Sequence, residues 1–171
     1  NNHTGWLNEK GEEIYKEIEL ANGVVKRRSF GMCEVVDVYG NSILPMGLFD
    51  VRLCGTDKLL GMKTTNDYNV TMTCTLYNLK GEQIIPFEFS NLDLLEDGSL
   101  KIIKNGNCAL YSSNCQEIIP LSHSCVSVEI WTNDLYLAHF CESSLFQRKD
   151  YAMIYNKEGK KLVTVAPMDI E

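Results

Sequence analysis

The stretch "TLYNLKGEQIIP", residues 75–86, returns 34 residues later as "ALYSSNCQEIIP", residues 109–120. In both copies apolar or aromatic residues precede a short polar cluster, and two isoleucines and a proline follow it. The same frame occurs in "WLNEKGEEI" (6–14), "VVDVYGNSILP" (35–45) and "MIYNKEGKKLV" (153–163). Five copies spread along the whole chain indicate a repeat protein.

Each copy has an anchor position at the end of its polar cluster, and successive anchors are 29 to 44 residues apart. The anchors are Gly11, Gly40, Gly81, Cys115 and Gly159. Three copies have a proline five residues after the anchor, and the same three have a cysteine seven residues before it. These residues are Pro45, Pro86 and Pro120, and Cys33, Cys74 and Cys108.

The frame predicts a β-hairpin, because the polar cluster ends where a turn needs a positive φ and glycine supplies it most easily. Further turn signals are "ANG" (21–23), "EDGS" (96–99), "KNGN" (104–107) and "WTND" (131–134). The segment 11–23 has both helical and alternating spacing, and the repeat frame favours a strand there. Proline is expected at a strand end or on an edge strand.

The sequence therefore predicts an all-β fold. Five hairpin-based repeats would stack side by side as an open antiparallel array, and a closed barrel or propeller-like ring is the alternative. We expect residues 1–171 to form one domain, since this length suits one core. The chain does not begin with Met, so we expect a processed product or a piece of a longer protein.

The net charge of −7 argues against a nucleic-acid partner, which requires clustered basic residues. The densest basic cluster is Lys26, Arg27 and Arg28, and five glutamates occur between residues 9 and 19. We interpret this cluster as a solvated strand edge. An acidic surface favours a protein with a basic patch as partner. No apolar run reaches the roughly 18 residues of a membrane span.

Seven cysteines, an odd number with no C-x-x-C pair, favour reduced thiols over a disulfide scaffold. Buried thiols act as small hydrophobic side chains. This composition favours the cytoplasm, although a signal peptide removed on export would leave the same chain.

Residues 76–111, "LYNLKGEQIIPFEFSNLDLLEDGSLKIIKNGNCALY", resemble the WG (KWG) repeat family of bacterial β-repeat proteins. The family pattern has a short strand, "KKG", an "-xVIP" strand, a glycine turn and "VxxNGKWG". The tryptophan of that pattern falls here at Thr4, Cys33, Cys74, Cys108 and Ala152. The resemblance implies that cysteine fills the pocket of that tryptophan. It also implies a binding or structural module without a catalytic motif.

Two His-x-Cys pairs, His123 with Cys125 and His139 with Cys141, flank the "WTND" turn. Residues two apart share a face of a strand. If a three-residue loop pairs Trp131 with Leu135, Cys125 lies opposite Cys141, and His139 lies opposite Ser127. All four side chains would then suit tetrahedral zinc, or the two thiols could form a disulfide.

The sequence contains no phosphate-binding loop, zinc-protease helix, serine elbow or calcium loop. We therefore predict a non-catalytic binding or scaffolding module that recognises another protein. Trp131 and Trp6 are the candidate binding residues, since exposed aromatic residues often anchor ligands. The alternative is a metal-binding or thiol-dependent activity centred on the two His-x-Cys pairs.

Overall fold

A computed structural model of the chain describes residues 6–7, 9–11, 13–14, 16–64, 71–144 and 147–165. These residues form seventeen strands and no helix. Every pair of neighbouring strands is antiparallel. The predicted all-β fold is confirmed. Among the described residues there is also no helix long and apolar enough to cross a membrane.

The chain divides into two compact units, Asn1–Glu88 and Phe89–Glu171. The first unit begins with a two-stranded ribbon, β1 (Trp6–Leu7) and β2 (Glu13–Ile14). Its four-stranded sheet contains β3 (Lys16–Ala21), β4 (Val24–Ser29), β5 (Met32–Val36) and β6 (Ser42–Leu48). Its three-stranded sheet contains β7 (Asp50–Cys54), β8 (Lys58–Thr64) and β9 (Met72–Asn78).

The second unit contains two four-stranded sheets. The first consists of β10 (Asn91–Leu94), β11 (Leu100–Lys104), β12 (Asn107–Tyr111) and β13 (Glu117–Ile119). The second consists of β14 (Cys125–Thr132), β15 (Leu135–Ser143), β16 (Arg148–Asn156) and β17 (Lys161–Val165). The prediction of one domain over residues 1–171 stays a prediction.

Strand order within every sheet follows chain order, and no sheet of the described residues closes into a barrel. Consecutive sheets within a unit pack around an apolar core. In the first unit this core includes Val35 and Leu44 with Val51 and Leu59 of the next sheet. In the second unit, residues of β12 and β13 pack with residues of β14 and β15. The predicted open antiparallel stacking is confirmed.

The repeat frame corresponds to one hairpin in all five copies. The residue four before the anchor pairs with the residue two after it: Leu7 with Glu13, Val36 with Ser42, Tyr77 with Gln83, Tyr111 with Glu117 and Tyr155 with Lys161. In four copies the anchor N–H donates to the carbonyl oxygen three residues earlier, at 2.8 to 3.1 Å. The anchors have φ from 61° to 86°, and the non-glycine Cys115 is among them.

Several local predictions are confirmed. Cys33, Cys74 and Cys108 are all buried, as core-filling thiols would be. Pro45 lies in β6, which is an edge strand of its sheet. Residues 11–23, whose spacing fits both a helix and a strand, form strands at Glu13–Ile14 and Lys16–Ala21.

The interpretation of the basic cluster as a solvated edge was wrong. β4, which bears all three residues, is a central strand between β3 and β5. The side chains of Lys26 and Arg28 are mostly buried and contact Asp50 of β7. Only Arg27 pairs with the nearby glutamates as expected, since its Nε donates to Glu17 at 2.8 Å. Their carboxylate partner lies more than twenty residues away in the chain, beyond the range of a local sequence pattern.

Candidate functional site

The hairpin β14–β15 was predicted with the wrong register at its ends. Thr132, and not Trp131, pairs with Leu135, because the turn contains two residues instead of three. The register shifts once between Ile130 and Thr132 and again between Cys125 and Ser127. As a result of the second shift, Cys125 lies opposite Phe140 instead of Cys141. The predicted pairing of His139 with Ser127 between these shifts is confirmed.

The structure does not bring the four His and Cys side chains together. Cys125 is buried in the core of the second unit. Cys141 and His139 belong to the opposite face of β15, because they alternate with the buried Ala138 and Phe140. His123 lies in the exposed turn before β14. The described residues contain no group of three His, Cys, Asp or Glu side chains that could hold a metal ion.

Six of the seven thiols have a raised pKa, which favours their protonated form. Burial raises the pKa of Cys33, Cys54, Cys74 and Cys108. Burial, together with the neighbouring Cys108, raises the pKa of Cys125 to about 12. At Cys141 a hydrogen bond to the Asp150 carboxylate, followed by burial, raises the thiol pKa. A nucleophilic cysteine needs a lowered pKa, so this geometry gives no support to thiol chemistry. None of the seven cysteines forms a disulfide.

A surface groove of about 350 Å³ lies beside Cys141. His139, Asp150, Arg148 and Val165 are among the residues that line it. The Arg148 Nε donates to both oxygens of Asp150, at 3.1 and 3.0 Å. The charges in the groove therefore compensate each other.

The two candidate tryptophans have different outcomes. Trp131 is exposed near the end of β14, as expected for a binding residue. Trp6 lies in β1, but its side chain is outside the described part of the chain. Both assignments stay predictions.

A partly buried charge cluster joins β4 and β7. Asp50 accepts hydrogen bonds from Lys26 at 3.0 Å, from Arg28 at 2.9 Å and from Arg52 at 3.2 Å. Burial is the largest single influence and would raise the pKa of Asp50, but the hydrogen bond and charge of Lys26, together with hydrogen bonds from Arg52 and the backbone of Val51, outweigh it, so its pKa is lowered. Three cations around one carboxylate leave an excess of positive charge.

Three apolar residues next to this cluster in the chain are exposed. They are Phe30, Met32 and Phe49, and we call them the Phe30 surface. Arg28 donates to the backbone carbonyl of Phe49 at 3.2 Å, which connects the surface to the cations. Phe30 is 67% exposed at the β4–β5 turn.

The backbone at Phe30 adopts an unusual conformation. Its φ is 45°, in the left-handed region that side chains other than Asn and Asp rarely adopt. Two other two-residue turns have the same pattern, and there the position is occupied by Asn22 and Asn105. Phe30 was not among the binding residues predicted from the sequence. The sequence did contain a signal for this position. Phe30 and Asn105 both stand three residues before the cysteine that precedes the anchor by seven residues, so phenylalanine occupies a position where another copy has asparagine.

The chain matches no known protein family and no curated protein. Four chains of solved structures are similar to it. One is described as "Crystal structure of the eukaryotic initiation factor", with 8% sequence identity and a TM-score of 0.41. The match covers 99% of this chain and 48% of that chain, so this chain spans about half its length.

Proposed function

We propose that the protein is a non-catalytic binding module for another protein and that the Phe30 surface is its contact site. The observation that carries this proposal is the exposed phenylalanine with a φ of 45°. Such a backbone conformation costs about 1 kcal/mol or more for a non-glycine residue. Asparagine, which the repeat uses at the equivalent position 105, would reduce that strain. A phenylalanine that packs little in the free protein contributes free energy when it contacts a partner, and this contribution offsets the strain.

The charge beside this surface indicates the chemistry of the partner. Lys26, Arg28 and Arg52 surround the single carboxylate of Asp50, and the Arg52 side chain is 69% exposed. An apolar surface bordered by an exposed guanidinium suits a segment with an apolar anchor and acidic residues. The net charge of −7 favours a basic partner, but the local charge at this surface is positive. We therefore propose an acidic partner for this site.

The resemblance to the WG repeat family supports the same proposal, because that family is regarded as one of binding or structural modules. Stacked hairpins also hold their turns on a rigid framework, which suits a scaffold. The protonated thiols and compensated groove charges give catalysis no comparable support.

The test is a selection of displayed random peptides against the purified protein, repeated with Phe30→Asn. We expect wild type to enrich acidic peptides with aromatic or aliphatic residues. Phe30→Asn should bind the enriched peptides at least about tenfold more weakly, as for loss of an aromatic anchor. The same variant should have a higher melting temperature, by about 2–4 °C, because strain is relieved.

Leu94→Asn is the matched control, since Leu94 is also exposed and apolar but lies in β10 of the other unit. It should bind the peptides as wild type does. Equal binding of the peptides by wild type and Phe30→Asn, enrichment of basic peptides, or no enrichment would each contradict the proposal.

A further inference from the structure

The charge cluster around Asp50 has more positive than negative charge. Three cations contact this carboxylate at 2.9 to 3.2 Å, namely Lys26, Arg28 and Arg52. Arg27 belongs to the other face of its sheet, because side chains alternate along a strand. There it contacts Glu17 at 2.8 Å and Glu34 at 3.9 Å. These glutamates therefore lie across the sheet from Asp50 and contact a different cation.

Arg52 is the most accessible cation of the cluster. Its side chain is 69% exposed, whereas those of Lys26 and Arg28 are 12% and 23% exposed. A guanidinium has five N–H donors, and Arg52 contacts Asp50 through its Nε. Its two terminal nitrogens form a planar fork that matches two oxygens of one carboxylate or phosphate group.

The second unit contains a similar ion pair without this excess of charge. Arg148 is 71% exposed, and its Nε contacts Asp150 at 3.0 Å, so its exposure and its partner match those of Arg52. Among the described residues, no second cation contacts Asp150. One positive charge therefore meets one negative charge at this pair. An incoming anion gains less at Arg148 than at Arg52, although both guanidiniums are accessible.

The excess at Asp50 fits a phosphate group better than a carboxylate. Three cations and one carboxylate leave about two positive charges. A carboxylate brings one negative charge, whereas a phosphate on a side chain carries about 1.5 to 2 at neutral pH and has three acceptor oxygens. Nucleic acid requires several clusters of basic residues, which the net charge of −7 opposes. The cluster therefore fits one isolated phosphate group.

We propose that the partner segment that binds the Phe30 surface is phosphorylated, and that its phosphate contacts Arg52 and Arg28. This inference rests on the proposed function, since it assigns a modification to the same partner. Arg28 stands two residues before Phe30 and donates to the carbonyl oxygen of Phe49 at 3.2 Å, which connects the cations to the apolar contact. Phosphorylation of the partner would thus regulate binding, because the unmodified segment leaves the excess charge unmatched.

Matched peptides test this inference. The peptides that wild type enriches in the display selection are synthesised with serine, glutamate or phosphoserine at each acidic position, and fluorescence anisotropy measures their affinities. We expect the phosphoserine form to bind at least about fivefold more tightly than the glutamate form, because it supplies more charge and more acceptors. Arg52→Gln should abolish this preference. Phe30→Asn should weaken all three forms and leave the preference unchanged.

Arg148→Gln is the matched control, and it should bind all three forms as wild type does. Inorganic phosphate, titrated separately as a competitor, should bind more weakly than the phosphoserine peptides. Circular dichroism checks that each variant retains its β structure.

The outcomes separate this inference from the proposed function. Glutamate and phosphoserine forms of equal affinity, or a preference that Arg52→Gln leaves intact, would overturn the phosphate assignment alone. Phosphoserine peptides that bind no more tightly than inorganic phosphate would overturn it as well, since a free anion would then be the occupant. A selection without enrichment would contradict both this inference and the proposed function.

Discussion

A β-carbon placed on Gly159 would lie 2.7 Å from the carbonyl oxygen of Ile118, closer than real side chains approach. Gly159 is the anchor of the β16–β17 turn, and Ile118 lies in β13 of the adjoining sheet. Gly81 and Ile43 have the same relationship in the first unit, with a still closer overlap. Both isoleucines stand three residues after their own anchor. The anchor turn of one sheet thus rests on a fixed backbone position of the sheet before it.

Gly81→Ala should destabilise the protein more than Gly40→Ala. Both glycines have nearly the same φ, 84° and 86°, so alanine meets the same backbone strain of about 1 kcal/mol at each. At Gly40 no heavy atom of the described residues lies within 4 Å of the new Cβ. At Gly81 the overlap with Ile43 adds about 1–3 kcal/mol, as for overpacking. Urea unfolding measures the difference, and equal losses in both variants would contradict the contact.

The sequence predicted the hairpins because their signals are local. One copy of the repeat contains every signal for its hairpin. The anchor, its polar cluster and the residues that pair around it all lie within a few positions of each other. The reason for glycine at 81 and 159 is not local, since it depends on Ile43 and Ile118. From the sequence alone, all anchors have the same explanation.

Two predictions about side chains failed for similar reasons. The predicted pairing of Cys125 with Cys141 failed because a separate register shift lies between Cys125 and Ser127, although the register of Ser127 with His139 was correct. The solvation of Lys26 and Arg28 depended on the position of Asp50, which the next sheet supplies. Register and long-range ion pairs are set by sheet packing, which periodicity does not encode.

Cys115→Gly should be more stable than Cys115→Ala. Cys115 has a φ of 61°, a conformation in which glycine is unstrained and alanine is not. Both variants remove the thiol, so the difference between them isolates the backbone. We expect about 1 kcal/mol in favour of glycine from urea unfolding. A more stable alanine variant would show that the turn at 115 relaxes out of the left-handed region.

Asp50→Asn should lower the free energy of unfolding by about 2 kcal/mol at neutral pH, because mostly buried Lys26 and Arg28 lose their charged partner. Asp57→Asn is the matched control. Its carboxylate also contacts a lysine, Lys58 at 2.6 Å, but 63% of the Asp57 side chain is exposed. A loss below about 0.5 kcal/mol is expected there. Similar losses at both positions would contradict the role of burial.

The contribution of Asp50 should also depend on pH. Its pKa is lowered in the folded protein, because Lys26, Arg52 and the backbone of Val51 together outweigh the opposing effect of burial. The stabilisation is therefore complete above the unfolded pKa of about 3.9 and is lost as pH falls through the lower folded pKa. Urea unfolding of wild type and Asp50→Asn should differ by a constant amount from about pH 5 to 8. A difference that shrinks within that range would contradict this assignment.

Asp150→Asn should make the Cys141 thiol react faster with iodoacetamide. The hydrogen bond to the Asp150 carboxylate, followed by burial, raises the thiol pKa in the wild type, and Arg148 lowers it. In Asp150→Asn the carboxylate no longer raises the thiol pKa, whereas the guanidinium of Arg148 still lowers it. The thiolate fraction therefore grows and the alkylation rate rises. Mass spectrometry of Cys141 alkylation at mildly alkaline pH measures this rate. Asp134→Asn, which removes a carboxylate paired with Lys157, should leave it unchanged. An unchanged rate in Asp150→Asn would show that Asp150 does not hold the proton on Cys141.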